Sequence, residues 1–222
     1  MKSKKIFFSI ITPVLNQPKI KNNFNSLKKQ SFKDFEHIVI DGASDKKTLS
    51  LIKKNKKNIS KLIIEKDNGI YDAINKGIKL SKGQVIGILN ADDYYYKNTL
   101  KIVYKYFLYN KNVDYLFGSV NKERLMHGFW PDKIWYKFNI YPAHSCSFFV
   151  KKSVHRKIGL YNTKFRYSSD RDFIFKIIKK KFIGIKSKKY EVFGKFNPHG
   201  VSSRLGFFRT ILEEMRVRFN NQ

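Results

Sequence analysis

Apolar residues in the first 93 positions follow two alternating patterns. Short, mostly apolar runs, which suit strands buried on both faces, predict strands at 6–11, 35–40, 62–65 and 85–89. Between the runs, apolar residues recur at helical spacing, as with Ile20, Phe24 and Leu27. Strands that alternate with helices favour a parallel sheet with helical crossovers, so we predict an α/β fold.

The pattern becomes less regular after residue 93. It predicts helices at 100–108, 151–159, 170–178 and 205–219, and strands at 115–120 and 148–150. An irregular aromatic stretch at 128–138 lies between these two strands. Such aromatic residues either line a ligand pocket or belong to the core, and we favour the core.

The composition predicts a globular chain. It has 222 residues, of which 42% are hydrophobic and 16% aromatic, and this excludes a disordered protein. The one cysteine, Cys146, excludes an internal disulfide and fits a reducing compartment. Ser9, Thr12 and Pro13 interrupt the N-terminal apolar run, unlike a signal peptide, and no run approaches the roughly 20 apolar residues of a spanning helix. We therefore expect a cytoplasmic protein, free or peripheral on the inner face of the membrane.

Lysine and arginine outnumber the acidic residues by 46 to 17, which gives a formal charge of +29. A field of this size favours anionic partners such as phosphorylated substrates, anionic lipids or nucleic acid. The lysines are scattered along the chain, however, as they are when AT-rich codons set the composition. The charge suggests a membrane surface without identifying one.

Carboxylates follow two of the predicted strands. Asp92 and Asp93 follow the strand at 85–89, and Asp41 follows the strand at 35–40. Ligands of open α/β sheets bind beyond the carboxyl ends of the strands, where two carboxylates can hold a hard divalent cation and, through it, phosphates. Alternatively, the pair caps the next helix and Asp41 belongs to an ordinary turn. The absence of a Gly-x-Gly-x-x-Gly or Gly-Lys-Ser/Thr loop from the sequence favours the cation.

The second half of the chain carries further polar candidates. His144 precedes the strand at 148–150, beside the expected site. Ser169 and Asp170 lie where the helix at 170–178 begins. Either residue is that helix's N-cap, or Asp170 is a general base over the cleft.

Several segments now fall in one order along the chain: 12–13, 39–44, 65–77, 87–93, His144 with 148–150, and 169–173. Together they resemble family 2 glycosyltransferases of the GT-A fold, especially bacterial enzymes that build O-antigen, capsule or exopolysaccharide. The resemblance implies a Rossmann-like, central, mostly parallel sheet flanked by helices, in a single domain over 1–222. Its parts would be a nucleotide-sugar half to about residue 93, an acceptor half at about 94–203, and a C-terminal amphipathic helix at 204–222.

The resemblance also implies a donor side of the site. Asp41 would contact the nucleotide base, Asp92 would face the ribose, and Asp92 with Asp93 would hold Mg²⁺ or Mn²⁺. Uridine is the favoured base, with guanosine and deoxythymidine open. The residues expected at the nucleotide sugar are Thr12, Pro13, Asp41, Asp67, Asn75, Lys76 and Asp92.

On the acceptor side, Asp170 matches the family's catalytic base. Ser169 stands where the family usually has a glutamate, so Asp172 remains an alternative base. His144, His199 and Arg204 are expected near the acceptor or the diphosphate. His199 and Arg204 belong to a polar loop at 197–204, which in similar enzymes folds back over the donor; alternatively, it is an ordinary surface loop. The implied reaction is a metal-dependent, inverting displacement that moves the sugar to a hydroxyl of a lipid-linked glycan, carried by undecaprenyl diphosphate, in cell-surface polysaccharide biosynthesis.

The helix at 205–219 mixes apolar residues with arginines. It would lie in the plane of an anionic membrane, or dock on its own domain or on a second subunit of a homo-oligomer.

Two other classes of protein remain as alternatives. A nucleotidyltransferase also binds a nucleotide and a metal between carboxylates, but it releases pyrophosphate. A non-catalytic protein that binds nucleic acid or membranes would use the +29 charge. The non-catalytic alternative does not explain why Asp41, Asp92, Asp93 and Asp170 lie at loop sites, so we expect no nucleic-acid partner.

Overall fold

The computed structural model describes residues 6–138, 140–198 and 207–221, with the backbone alone described for 207–210. Its strands are β1 (Phe8–Val14), β2 (Phe35–Asp41), β3 (Lys61–Ile64), β4 (Val85–Ile88), β5 (Tyr94–Tyr95), β6 (Tyr115–Phe117), β7 (Ser119–Asn121), β8 (Leu125–Met126), β9 (Phe148–Lys151), β10 (Gly184–Lys186) and β11 (Val192–Lys195). Its helices are α1 (Ile20–Lys28), α2 (Lys46–Lys54), α3 (Ile70–Leu80), α4 (Thr99–Tyr109), α5 (Lys152–Ile158), α6 (Ser169–Lys179) and α7 (Phe207–Asn220).

The larger sheet has the strand order β10-β6-β9-β4-β1-β2-β3. Within the described ranges, β9 is its one antiparallel member. On β1, Ile10 and Ile11 are fully buried in different core clusters on the two sides of the sheet. A strand covered on both faces has no side turned to water, which explains the mostly apolar runs in the sequence. The predicted α/β fold with a mostly parallel sheet is confirmed.

Helix α3 packs closely on β1. A Cβ atom on Gly77 would lie 2.4 Å from the Ile11 side chain, so only glycine permits this approach of helix to strand. The packing sets the first turn of α3 at the carboxyl edge of the sheet, where the candidate site lies.

The prediction of a single strand at 115–120 is wrong, because this segment forms two strands that belong to different sheets. β6 belongs to the large sheet, whereas β7 lies in a smaller sheet of order β5-β11-β7-β8. Gly118 separates them, and a Cβ there would lie 2.0 Å from the Phe193 ring. The chain can therefore cross between the sheets only at a residue without a side chain.

Helix α7 docks on the protein's own α6. Glu213 accepts hydrogen bonds from the backbone amides of Arg166, Tyr167 and Ser168 at 2.8, 2.7 and 2.8 Å, directly before α6. Val217 is fully buried in the core. One of the alternatives for this helix, docking on its own domain, is thus observed. Within the described ranges, every helix is too short or too polar to span a bilayer.

Candidate active site

Asp41 ends β2 at the carboxyl edge of the large sheet. The backbone amide of Ser44 donates to Asp41 Oδ2 at 3.0 Å, which fixes the turn that follows the strand. The residue is fully buried, and its other oxygen, Oδ1, has no hydrogen-bond partner among the described residues. Because a buried carboxylate oxygen without a partner is costly, this atom is a candidate ligand-binding group.

Thr12 and Pro13 are buried in β1, directly before Val14, which pairs with Asp41 on β2. The Thr12 hydroxyl lies 2.9 Å from His37 Nε2, so its side chain bonds toward the interior. Burial lowers the pKa of His37 to about 3. Asn23, which the sequence analysis did not single out, donates through Nδ2 to the Asn90 carbonyl at 3.0 Å. These buried hydrogen bonds join β1 to β2, and α1 to the loop after β4, and so hold the carboxyl edge of the sheet in place.

Lys76 on α3 forms ion pairs with three carboxylates. Its Nζ lies 2.6 Å from Asp67, 2.9 Å from Glu65 and 3.3 Å from Asp72. Burial disfavours the lysine charge, but these acids hold its pKa above the usual value. Burial raises the pKa of Asp67, against the opposing effect of Lys76. Asp67 also adjoins the turn after Asp41, since a Cβ on Gly42 would lie 3.0 Å from Asp67 Oδ2.

Asn75 connects the two halves of the chain. Its Nδ2 donates to the Tyr161 carbonyl at 2.8 Å, and its Oδ1 accepts from the Tyr161 amide at 2.9 Å. Both polar atoms of the Asn75 side chain therefore hydrogen-bond to the backbone of Tyr161, and this connects α3 to the loop between α5 and α6.

Asp92 and Asp93 lie between β4 and β5. The backbone amide of Asn197, just after β11, donates to Asp93 Oδ1 at 2.7 Å, and Asn197 Nδ2 donates to Asp92 Oδ2 at 2.9 Å. Asp93 is 1% exposed, and within the described ranges its Oδ2 has no hydrogen-bond partner. Burial raises the pKa of Asp93 to about 7. The neighbouring Ser145 hydroxyl, which forms no hydrogen bond to Asp93, and the Asn197 amide, which does, oppose this rise. Helix α4 begins with Asn98 as its N-cap, so the acid pair is not that cap.

Asp170 lies in the first turn of α6, with both oxygens bound by tyrosines. Tyr71 on α3 donates to Oδ1 at 2.7 Å, and Tyr141 donates to Oδ2 at 2.9 Å. Burial, and then the charge of Asp170, raises the pKa of both tyrosines well above the usual value, so they remain donors. The N-cap of α6 is Ser168, so neither Ser169 nor Asp170 fills that role.

His144 is connected to Tyr71 through Tyr161, whose ring packs against the Tyr71 ring at 5.6 Å. Its Nε2 is 2.7 Å from the hydroxyl of Tyr161, and its ring packs against Phe148 at 5.8 Å. Burial lowers the pKa of His144, with the charge of Asp170 opposing.

Asp172 faces away from Asp170. It is 2% exposed, with Oδ2 at 2.6 Å from Lys176 Nζ and Oδ1 accepting from Asn221 Nδ2 at 2.9 Å. The two acids therefore lie on different faces of α6, and Asp172 holds the end of α7. His199 and Arg204 lie outside the described residues.

The structure brings together residues that the sequence analysis did not select. Tyr71 lies within the matching segment 65–77, and Asn197 begins the polar loop that the sequence analysis linked to the donor, so both carried a signal. Tyr141 and Glu213 carried none, because their partners are distant in sequence and Glu213 binds backbone amides. The roles predicted for the site residues stay predictions.

Residues 9–182 match the family model described as glycosyl transferase family 2. A PGL/p-HBAD biosynthesis glycosyltransferase of Mycobacterium tuberculosis is 31% identical over 175 residues, which cover 75% of this chain and 67% of the relative. An uncharacterized glycosyltransferase of Methanocaldococcus jannaschii is 28% identical over 192 residues, covering 78% and 65%. The chain thus spans about two thirds of the length of these relatives.

Two solved structures share the fold. Staphylococcus aureus TarS 1–349, in complex with UDP-GlcNAc, has a TM-score of 0.76 at 20% identity, over 97% of this chain and 66% of that one. The mannosyltransferase PcManGT of Pyrobaculum calidifontis, in complex with GDP-Man and Mn²⁺, has a TM-score of 0.69 at 17% identity, over 98% and 64%. These likenesses confirm the GT-A fold, and the family match, which extends over most of the sequence, shows that this chain is a glycosyltransferase of family 2.

Proposed function

We propose that the protein is a metal-dependent, inverting glycosyltransferase that moves a sugar from a nucleotide sugar, favoured as a UDP-sugar, to an acceptor hydroxyl. The observation that carries the proposal is the carboxyl edge of the sheet, where buried oxygens of Asp41 and Asp93 lack a partner among the described residues. Complexes of the similar folds with UDP-GlcNAc, and with GDP-Man and Mn²⁺, support it.

The donor would lie along this edge. Asp41 Oδ1 is free to accept a hydrogen bond from the base, beside Thr12 and Pro13. Asp67 adjoins the same turn and would line the donor pocket. Lys76, already among three carboxylates, would act on the diphosphate mainly through its charge, and Asn75 would set the position of α3.

Asp92 and Asp93 fit a hard cation. Carboxylate oxygens are the ligands that Mg²⁺ prefers, and Asp93 Oδ2 is buried without a partner within the described ranges. The described residues include no group of three His, Cys, Asp or Glu side chains placed to hold a metal. The two aspartates would therefore share the ion with the donor's phosphates, as is usual for Mg²⁺. When bound, the ion would offset the charge that develops on the departing diphosphate.

Asp170 would be the general base. The acceptor hydroxyl attacks the anomeric carbon while its proton passes to an Asp170 oxygen, and the bond to the nucleoside diphosphate breaks. Tyr71 and Tyr141 hold the carboxylate in place, and each oxygen retains a second lone pair for the proton. Because Asp172 is buried against Lys176 and Asn221, we assign the role to Asp170.

The acceptor would be a glycan on a lipid carrier such as undecaprenyl diphosphate, used in cell-surface polysaccharide biosynthesis. The enzyme would then work peripherally at the inner face of the membrane. The net charge of +29 supports this, since both the lipid diphosphate and the membrane surface are anionic.

Release of nucleoside diphosphate from a panel of UDP-, GDP- and dTDP-sugars would test the proposal, with and without EDTA. We expect release from one donor, loss of release with EDTA, and recovery on adding Mg²⁺ or Mn²⁺. Release of pyrophosphate would instead indicate a nucleotidyltransferase. Absence of both release and metal-dependent donor binding by calorimetry would overturn the proposal.

A further inference from the structure

Helix α7 has an apolar outer face. While Val217 is buried against the protein, Leu212, Met215 and Phe219 are 57%, 44% and 65% exposed. Their spacing, i, i+3 and i+7, aligns them on one side of the helix. An apolar stripe of this kind on a docked surface helix is normally turned inward, so its outward position needs another explanation.

A second group of exposed apolar side chains lies in the segment at 135–138. Trp135, Tyr136 and Phe138 are 45%, 70% and 44% exposed, although Ile134 next to them is buried at 2%. The segment is therefore anchored by one residue and turns three large aromatic side chains at least partly toward solvent.

Arg218 joins the two groups into one surface. Its guanidinium donates to the backbone carbonyls of Trp135 and Lys137 and lies 4.8 Å from the centre of the Phe138 ring. Met215 lies one turn before Arg218 on α7, on the same side of the helix. We call the resulting surface the outer patch; its members are Trp135, Tyr136, Phe138, Leu212, Met215 and Phe219.

The charges around the outer patch are mostly positive. Lys137 and Arg216 are exposed beside it, and Arg218 lies within it, against one exposed acid in the 131–138 turn, Asp132. The two acids of α7 face inward, since Glu213 binds backbone amides and Glu214 pairs with Arg171 at 3.1 Å. The helix therefore presents its apolar and basic side chains outward.

We propose that the outer patch binds the surface of an anionic lipid bilayer. Tryptophan and tyrosine favour the membrane–water interface, and basic residues beside an apolar stripe bind anionic headgroups. A second copy of the chain fits the patch less well, because it would bring another +29 charge against a basic surface. An anionic bilayer is complementary in both charge and polarity.

The outer patch also adjoins the acceptor side of the site. Arg171, next to Asp170, donates to the carbonyl of Phe138, and Tyr141 of the same loop donates to Asp170. Resting on the proposed function, a bilayer on this patch would bring a lipid-linked acceptor to the side of the cleft that carries the base.

Sedimentation with lipid vesicles tests the patch. We expect the chain to bind vesicles of phosphatidylglycerol and phosphatidylcholine, to bind pure phosphatidylcholine weakly, and to lose affinity as salt rises. The double variant Leu212→Ser with Phe219→Ser should bind anionic vesicles about tenfold or more weakly. The matched control is Leu108→Ser with Tyr109→Ser on α4, which removes side chains that are 46% and 76% exposed elsewhere and should bind as the native chain does.

Three results would overturn the proposal. The native chain does not bind anionic vesicles, the two double variants bind them equally, or light scattering shows a dimer that only the α7 variant loses. Circular dichroism of both variants checks that they fold. Donor hydrolysis without lipid is measured in parallel, so that failure of lipid binding with intact hydrolysis leaves the proposed sugar transfer standing and removes only the peripheral location.

Discussion

The proposed donor edge, which carries Asp41 and Asp93, and the proposed acceptor side, which carries Asp170, hold their carboxylates in opposite ways. At the donor edge, Asp41 Oδ1 and Asp93 Oδ2 are buried and lack partners among the described residues. On the acceptor side, both oxygens of Asp170 are bound by tyrosine hydroxyls. The protein therefore completes the acceptor side by itself, whereas the donor edge has polar atoms that a ligand would satisfy.

The energetic cost of the two arrangements differs accordingly. A buried carboxylate without its full set of partners is destabilised in its charged form, and burial raises the pKa of Asp93 to about 7. Such groups are retained where a ligand stabilises them. We expect the donor edge to depend on an added ion and the acceptor side to depend on side-chain placement.

The largest effect is expected from Asp93→Asn. The variant removes the charge that would hold the metal, and several kcal/mol of transition-state stabilisation correspond to about 10³-fold or more in turnover. Metal-dependent donor binding, measured by calorimetry, should disappear with it. If Asp93→Asn keeps native metal dependence, the donor edge does not hold the ion through this residue.

Asp170→Asn should be the next most harmful change. Loss of a general base typically reduces kcat by about 10²- to 10⁴-fold, while donor binding and its metal dependence should stay native. The matched control is Asp172→Asn, two residues along the same helix, which should lower stability and leave most of the activity. Should Asp172→Asn abolish turnover in a folded protein while Asp170→Asn does not, the assignment of the base is reversed.

The sequence predicts the fold better than it predicts these contacts. The buried strand β4 carries no polar side chain and β1 is mostly apolar, so their pattern is strong. The strands β5 and β8 have two residues each, too few to show a period, and the crossing at Gly118 is a matter of tertiary contact with Phe193. Local pattern therefore identifies six of the seven strands of the large sheet, misses the short edge strand β10, and does not show that a second sheet exists.

The same limit applies to the site. Asp41, Asp92 and Asp93 could be found because they follow predicted strands, whose carboxyl ends share one edge. Tyr71 and Tyr141 lie 99 and 29 residues from Asp170, so their hydrogen bonds depend on the packed fold. The amphipathic spacing of α7 is visible in the sequence, but it does not tell which face is turned outward.

A smaller effect is expected from Tyr71→Phe. Tyr71 belongs to the donor-side helix α3 yet donates to the acceptor-side acid, so it links the two regions. Losing this positioning bond should lower kcat by roughly tenfold, with the Kd for the donor unchanged. Tyr106→Phe is the matched control, because Tyr106 donates to Glu191 away from the cleft. Equal kcat values for the two variants would show that Asp170 does not need this support.

Protonation of the buried histidines near the two regions should have the least effect on activity, but it should lower stability measurably. Burial lowers the pKa of His37, behind the donor edge, to about 3, and that of His155, which stacks on Phe173 behind the acceptor side, to about 4. Below about pH 6.5 the unfolded chain binds protons that the folded chain does not, so stability falls as the pH is lowered. Between pH 7.5 and 5.5, each histidine should cost about 1.4 kcal/mol of unfolding free energy.

Urea unfolding of the native chain, His37→Gln and His155→Gln at these two pH values measures the effect. Each variant lacks one titrating group, so the difference between its stabilities at pH 7.5 and 5.5 should be smaller than the native difference by about 1.4 kcal/mol. Comparing the differences removes the loss of packing that each substitution causes at both pH values. If only one variant shows the smaller difference, the histidine replaced in the other variant takes up a proton in the folded protein as well. The two regions would then differ in the protonation of their buried histidines as well as in the hydrogen bonding of their aspartates.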